Sequence, residues 1–359
     1  MNFILSADLH LTESEKEKEY SFSVLDEIIS LCLKEKCGAL LFAGDVFDSR
    51  DDVKSLRSDF RDALERLPSS CTAYFLPGNH EELRAKENEK LESFEFGRAR
   101  LLPQKPWSLH ELSGDAELLA VPFQGDYSEY RDWKVPPKKK PLRITLAHGT
   151  VPGMAYTGPG EETDSTLDED LFSHLQADIA AMGHLHTQAL DRRGGTLIAY
   201  PGSARVWREG ETGKRGVFRG RTESKPLLLE PLTLTSAGEY RVVPVFASPG
   251  GELRLDLPVD ISPADWLSLE VTGVVEEEPP VIAALEKLKK ELEKKYRKVD
   301  YNRDKLSVLS GVSTHPLAAN FLRAWEEAAP NYAGEAPGVY ELARLQGLLA
   351  LKGIKERRR

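Results

Sequence analysis

Cysteine is scarce in this chain, with Cys32, Cys37 and Cys71 the only three in 359 residues. They form no Cys-x-x-Cys motif and cannot all pair, which argues against a disulfide scaffold and points to a reducing cytoplasm. Their simplest role is as small buried hydrophobes. Long apolar runs are missing too: no stretch approaches the roughly 20 residues that span a bilayer. The opening MNFILSAD offers a short apolar run before an acid, with no basic leader and no small-residue cleavage site, so secretion is not expected. Positive charge is in deficit, 48 Lys and Arg against 58 Asp and Glu for a net charge of -10. That balance weighs mildly against a dedicated nucleic-acid binder, because phosphate backbones are held by clustered cations. Net charge does not describe a local surface, however. The basic clusters present, at Lys138 to Lys140, at Lys214 and Arg215 with Arg219 and Arg221, and at Lys355 to Arg359, read singly as solvated loops or tails. Internal repeats and low-complexity tracts are absent.

What remains is the composition of a soluble globular protein, 40% hydrophobic and 30% charged. The length suits a large catalytic domain with one or two smaller units. Short strand-type runs at Phe3 to Ala7, Ala39 to Ala43 and Ala73 to Leu76 alternate with helical ones. Phe22, Leu25, Ile28, Ile29 and Leu33 share one helical face, as do Leu56, Phe60, Leu64 and Leu67. This βαβαβ order predicts parallel strands. Further strands are expected at Leu118 to Pro122, Leu142 to Ala147, Ile179 to Met182 and Thr196 to Tyr200, then a β-rich stretch from Gly216 to Phe246. The expected fold is α/β, a two-layered β-sandwich flanked by helices, spanning residues 1–250. A stretch containing Pro, Gly and Ser from Ala247 to Asp265 reads as a boundary. Beyond it, a strand at Trp266 to Val271 and a helix at Val281 to Tyr296 suggest a small α+β domain over 260–331. A helical pattern over Val339 to Leu351, within a C-terminal segment 332–359, either packs on its own protein or docks to a partner.

Seven residues in five motifs form a candidate metal set: Asp8 and His10 (DLH), Asp45 (GDVFD), Asn79 (GNHE), His148 (AHG), and His184 with His186 (GHLH). Each motif ends an apolar run, and parallel sheets gather ligands at the carboxyl ends of strands. Side chains two apart on an extended segment point the same way, so Asp8 with His10, and His184 with His186, can each reach one cation together. Asp45 can direct its two oxygens at two metals, and Asn79 offers a neutral carbonyl oxygen. The mixed nitrogen and oxygen set suits Mn, Fe or Zn better than Ca or Mg. Two cations ~4 Å apart bind a phosphoryl oxygen, activate a water and steady a leaving oxygen, so no Ser or Cys nucleophile is needed. Two dications also outweigh Asp8 and Asp45, which makes the loaded site cationic inside an acidic chain. His80 is not assigned as a ligand; it either stabilises the phosphate or donates a proton to the leaving alkoxide. Asp48 either orients His80 or a ligand histidine, or caps the helix that follows. Glu81 is open to a capping role, and His110, His174 and His315 read as structural or surface residues.

The series DLH, GDVFD, GNHE, AHG and GHLH resembles the calcineurin-like metallophosphoesterase superfamily over residues 1–205. Within it, GDVFD and the YPGS run at Tyr200 to Ser203 resemble the SbcD nuclease family, relatives of the Mre-type double-strand-break repair nucleases. The resemblance implies Asp8, His10, Asp45 and His186 at one metal, Asp45, Asn79, His148 and His184 at the other, and His80 in the phosphate-side catalytic role. It implies two divalent ions, manganese first with iron or zinc as alternatives, DNA as substrate, and an SbcC-like SMC-family ATPase as partner. A DNA-contacting capping domain, a C-terminal segment that docks to the ATPase, and a homodimer formed through helices at 53–67 and 86–100 follow from the same likeness. Departures are Glu81 where the family more often has Asp, GTVPG after His148, and the loosely matching run ARVWREGETGKRG after YPGS. The leading expectation is a cytoplasmic manganese-dependent DNA exo/endonuclease. The alternatives are a stand-alone phosphoesterase acting on nucleotides, cyclic nucleotides or other small phosphodiesters, and a non-catalytic scaffold of the same fold.

Overall fold

The first strand sets the layering through its alternation. In β1 (Asn2–Ser6), Phe3 and Leu5 turn to one side and Ile4 to the other, and all three are fully buried. A strand buried on both faces requires cover on both. Ile4 meets α1 (Lys18–Lys34) and α2 (Arg50–Leu64), which cross between β1, β2 (Ala39–Phe42) and β3 (Thr72–Phe75). A single helical turn, α3 (Asn79–Glu82), follows β3. Phe3 and Leu5 meet a second sheet instead. The computed structural model describes residues 1–82, 90–154, 165–223, 227–309, 316–328 and 343–351. The chain divides into two compact units, Met1–Glu239 and Tyr240–Arg359.

The first unit holds two six-stranded sheets. One runs β12-β11-β1-β2-β3-β4, where β4 is Ala99–Leu101, and β11 (Gly216–Arg221) and β12 (Leu229–Thr233) return to pair antiparallel beyond β1. β1 to β4 are mutually parallel, as the helical crossovers predict. The other sheet runs β5-β6-β7-β8-β10-β9, built from β5 (Ser108–Glu111), β6 (Ala116–Val121), β7 (Leu142–His148), β8 (Ile179–Gly183), β9 (Ala189–Arg193) and β10 (Thr196–Tyr200). Leu118, Ile144, Leu146, Ile179 and Ala199 of this sheet share one core cluster with Phe3, Leu5 and Leu41 of the first, so the sheets face each other. The outer face of the second sheet is covered by Leu171 and Phe172 of α4 (Asp170–His174) and by the aromatic side chains of Tyr127 and Tyr130. The α/β sandwich flanked by helices is therefore as the periodicity predicts.

Several expected details differ. Leu33 is 47% exposed, and Cys32 takes its place on the buried face of α1. α2 is capped by Ser49, whose hydroxyl accepts from the Asp52 backbone N–H, so Asp48 is not the cap. The stretch 86–100, expected as a dimer helix, holds over its described part only a 3-10 turn at Leu91–Ser93 and the start of β4. Leu91 and Phe96 there turn into the protein's own core. The three cysteines are free and buried.

The second unit begins earlier than the sequence reading placed its boundary. β13 (Tyr240–Ala247) pairs in parallel with β15 (Trp266–Val275), and β14 (Leu253–Leu255), β16 (Lys298–Asn302) and β17 (Leu306–Val308) complete this sheet. The stretch from Ala247 to Asp265 is thus a connection inside the unit. α5 (Glu278–Leu292) starts three residues before its apolar pattern because Pro279 and Pro280 fit a first helical turn. Val281, Leu285 and Leu292 face the sheet, and the Lys and Glu residues lie elsewhere on the helix. α6 (Pro316–Ala328) has no counterpart in the sequence reading. The C-terminal helical pattern is described over 343–351, where Leu345 and Leu348 are buried with Val274, Leu309 and Ala318. That face packs on its own unit; Val339 and Leu342 lie outside the described residues, as does His315. No helix among the described residues is long and apolar enough to cross a membrane.

Candidate metal centre

Strand ends from both sheets of the first unit meet at one rim. Asp8 and His10 follow β1, Asp45 follows β2, and Asn79 opens α3 after β3. From the second sheet, His148 ends β7, and His184 and His186 follow β8. The loops interlock through their backbones: Asp8 N–H donates to Gly44 O, His10 N–H to Asp45 O, and Asp48 N–H to Leu11 O. The convergence of Asp8 with His10 does not come from a pleated strand. Both are left-handed, with φ of 50° and 48°, as is Asp45 at 50°, while His184 has φ 97°. Non-glycine residues held there store strain that the surroundings must offset, and such residues concentrate at functional sites.

All seven predicted residues lie at this rim. Asp8, His10 and His186 form one group, and Asp45, His148 and His184 a second, each with donor atoms within 4.8 Å of one another. Asn79 joins the second group, its Oδ1 lying 2.8 Å from His148 Nε2 and 3.1 Å from His184 Nδ1. Asp45 Oδ2 lies 3.4 Å from His148 Nε2, and Asp45 Oδ1 accepts from the His80 backbone N–H at 2.9 Å.

The histidine orientations follow from what holds their far nitrogens. His148 Nδ1 donates to Ala43 O at 2.7 Å, which leaves Nε2 as a bare donor toward Asn79 and Asp45. His186 Nδ1 donates to the Glu211 carboxylate, and His10 Nδ1 faces Asp48 Oδ1 at 3.3 Å. The Nε2 atoms of His10 and His186 lie 3.2 Å apart beside Asp8, while buried His10 Nδ1 makes no hydrogen bond among the described residues. Two imidazole nitrogens converging on a carboxylate are a donor set that fits a metal.

Charge points the same way. Burial pushes the Asp8 carboxyl up to about 7, partly offset by His148 and His186. Burial opposes charge on His148 as well, but Asp45 and Asp8 outweigh it and raise the imidazole to about 9. Burial likewise works against Asp45, yet His148, His80 and His10 hold its carboxyl well below the usual range. Burial keeps His10 well below the ordinary imidazole value. Without a cation, the pocket therefore retains protons that a cation would replace.

Around this set stand residues with other tasks. Glu81 is fully buried and does not cap a helix in the ordinary sense: its carboxylate accepts from the backbone N–H groups of Asp45, Phe47 and Gly78, tying the second motif to the third. Burial and the charge of Asp45 raise it to about 8. His80 donates from Nδ1 to Asp48 O at 2.6 Å, which turns Nε2 toward the pocket, 4.0 Å from Asp45 Oδ2. Asp48 Oδ1 lies 3.8 Å from the His80 ring and 3.3 Å from that of His10, so one carboxylate faces both. His110 and His174 lie elsewhere, with Ser108 Oγ and Trp133 O as their neighbours.

The sequence reading missed the segment that closes one side of the site. Trp207 stacks on His10 with ring centres 4.0 Å apart and planes 5° from parallel, and its indole N–H donates to Asp48. Arg215, read as part of a solvated basic cluster, is 5% exposed. Its guanidinium donates to His186 O, Glu211 O, Thr212 O and Ser203 Oγ. Arg219 lies partly exposed and pairs with Glu35 and Glu230. The one available signal was position: this run, ARVWREGETGKRG, directly follows YPGS, yet its charges resemble an ordinary loop.

A family model described as calcineurin-like phosphoesterase matches residues 1–188, over half of the chain and all seven residues of the rim. The chain belongs to that family. The divalent ions that this family implies have candidate ligand groups here. A curated relative, the uncharacterized metallophosphoesterase YhaO of Bacillus subtilis, is 22% identical over 238 residues, which cover 61% of this chain. Those residues span 56% of YhaO, a little over half its length. Among solved structures, TT1561 of Thermus thermophilus is similar at 14% identity and a TM-score of 0.39, covering 65% of this chain and 98% of that one. A dimetal phosphatase from Danio rerio is similar at 12% identity and a TM-score of 0.41, covering 61% and 92%.

Proposed function

We propose that this phosphoesterase is a manganese-dependent DNA exo/endonuclease, the nuclease subunit of a complex with an SbcC-like SMC-family ATPase. Asp8, His10, Asp45 and His186 hold one ion in this reading, and Asp45, Asn79, His148 and His184 the other. The observation that carries it is the pairing of two neighbouring donor groups with an exposed imidazole edge: His80, 22% exposed in its side chain, stands beside Asp45 at the mouth of the pocket. When bound, two divalent ions supply Lewis-acid activation of the phosphate and of the attacking water. The chain's own residues do the rest. Asp45 is held by Glu81 and by the His80 peptide, so its carboxylate is fixed before substrate arrives. His80, with Nδ1 committed to Asp48 O, presents Nε2 to a phosphoryl oxygen or to the leaving oxygen, and as an imidazolium it gives up the Nε2 proton. Asp48 stabilises that imidazolium.

DNA as the substrate is supported by the GDVFD and YPGS motifs and by the presence of a second α+β unit. The test is incubation of the purified chain and of His80→Ala with Mn and either labelled duplex DNA or a chromogenic small diester. DNA degradation lost in the variant is expected. Small-diester turnover with inert DNA would replace the nuclease reading by a stand-alone phosphoesterase, and silence on both would leave a scaffold. The ATPase partner and the homodimer are part of the same proposal. Co-purification with a long coiled-coil ATPase should be lost when residues 332–359 are removed, with unfolding of the remaining second unit monitored because Leu345 and Leu348 belong to its core. A monomeric mass in solution would remove the homodimer from the reading.

A further inference from the structure

The segment from Arg205 to Arg215 is fastened at both ends to the peptides of two histidines of the rim. Arg205, 2% exposed, donates from its guanidinium to the carbonyls of Leu9 and His10. At the other end, Arg215 donates to the carbonyl of His186 at 2.9 Å. Arg205 also pairs with Glu17 at 3.0 Å, whereas the Arg215 bonds to His186, Glu211, Thr212 and Ser203 go to neutral acceptors, a costly use of a buried cation. Between the anchors the segment places two side chains on the imidazoles themselves: Trp207 covers the face of His10, and Glu211 accepts a hydrogen bond from His186 Nδ1. The second Glu211 oxygen accepts from the Trp207 backbone N–H at 2.8 Å, so one carboxylate ties the His186 ring to the peptide that carries Trp207.

The other donor group is held from elsewhere. His148 is oriented by Ala43 O, and the peptide of His184 donates to Asp8, both within the strand-end loops. The two halves of the centre are therefore organised by different parts of the chain.

We propose that Glu211 is a positioning residue for one metal ion only: by holding His186 as an Nε2 donor and clamping Trp207 against His10, it makes the Asp8, His10 and His186 half of the centre depend on the strap, while the Asp45, His148 and His184 half forms without it. A carboxylate on the far nitrogen fixes the imidazole tautomer and orientation and raises its basicity, and loss of such a partner costs roughly 10- to 100-fold in metal affinity. This inference rests on the two-ion reading of the centre. Its consequence is ordered loading, with the strap-dependent ion the weaker and the first to be lost.

The test titrates the full-length chain and two variants, Glu211→Gln and Glu211→Ala, with Mn alone, by calorimetry and by electron paramagnetic resonance. Glutamine keeps the shape and one acceptor oxygen, which can serve His186 or the Trp207 backbone N–H but not both, so it disturbs the segment less than alanine while still breaking the shared contact. Metal-free thermal unfolding of each variant serves as the folding control. The natural chain should bind two ions and show the spectrum of a coupled Mn pair. Both variants should keep one ion at unchanged affinity and bind the second roughly 10- to 100-fold more weakly, more so for alanine, with the spectrum of isolated Mn at limiting metal. Two ions bound at unchanged affinity in Glu211→Ala, or equal weakening of both, would overturn the inference while the two-ion reading stands. Fewer than two ions in the natural chain would overturn the two-ion reading itself.

Discussion

Replacing Gly78 by alanine asks whether the Asp45 carboxylate tolerates displacement. Gly78 lies in no left-handed conformation, so alanine adds bulk without backbone strain. Its added Cβ would lie 2.2 Å from Asp45 Oδ1 and 2.6 Å from Asp45 N. Ordinary contact begins near 3.4 Å, so the carboxylate or the Gly78 loop must move by about 1.2 Å. The Asp45 side chain has little freedom to comply, because Oδ1 accepts from His80 N–H and its own backbone N–H donates to Glu81. Overpacking of this kind costs about 1 to 3 kcal/mol, and a misplacement near 1 Å in a catalytic constellation costs on the order of 10²-fold in rate. Gly78→Ala should therefore fold with a lowered melting temperature and turn over a chromogenic phosphodiester with Mn about 10²-fold more slowly. Metal content measured on the same preparation should show a weakened ion. Natural kcat and full metal content in a folded Gly78→Ala protein would refute the claim that Asp45 is rigidly placed.

Metal binding should release protons in a pH-dependent way. Asp8, at about 7 against 3.8, and His148, at about 9 against 6.5, both have folded values raised in the absence of metal. Their contribution to the stability of the metal-free protein is therefore present at low pH and declines as pH rises toward 9. Loading should expel about two protons near pH 6 and about one near pH 8, with apparent affinity rising between them; calorimetry in buffers of different ionisation enthalpy measures this, and pH-independent affinity would contradict it. His80→Ala should retain both ions yet lose about 10²- to 10⁴-fold in phosphodiester turnover, since it removes a proton carrier and no donor; parallel metal analysis separates the two effects. Phe60 is fully buried, with ring contacts to Phe42, Phe47, Phe75 and Phe96, so Phe60→Ala should cost about 3 to 5 kcal/mol in urea unfolding of the metal-free chain. Chelation should lower the melting temperature of the natural chain, because ions that bind only the folded state stabilise it by about 2.7 kcal/mol at a hundredfold excess over Kd. An unchanged melting temperature would place the metal outside the folded state's stability.

Much of the architecture was legible because it rests on local periodicity. Fully apolar runs between amphipathic helices specify buried parallel strands, and β1 to β3 with α1 and α2 lie where that pattern puts them. The division at Glu239 was not legible. β13 continues the β-rich run that starts with β11, and its pairing with β15 assigns it to the second unit. The C-terminal helix was similarly open, since apolar spacing marks a buried face without naming what buries it; Leu345 and Leu348 pack beside Val274 and Ala318.

Which residue types stand at the strand ends could be read from the chain alone, because a residue's chemistry and its place after an apolar run are properties of a short segment. How those residues meet was settled by the folded arrangement. Left-handed turns, rather than a pleat, aim Asp8 and His10, and Glu81 joins two motifs by accepting three peptide N–H groups. Arg215, whose composition suggested solvent, became a buried anchor, and Glu211, 25 positions beyond His186, reached its ring. Such contacts depend on where the whole chain returns in space, and hydrogen bonds between distant segments leave no periodic trace in the sequence.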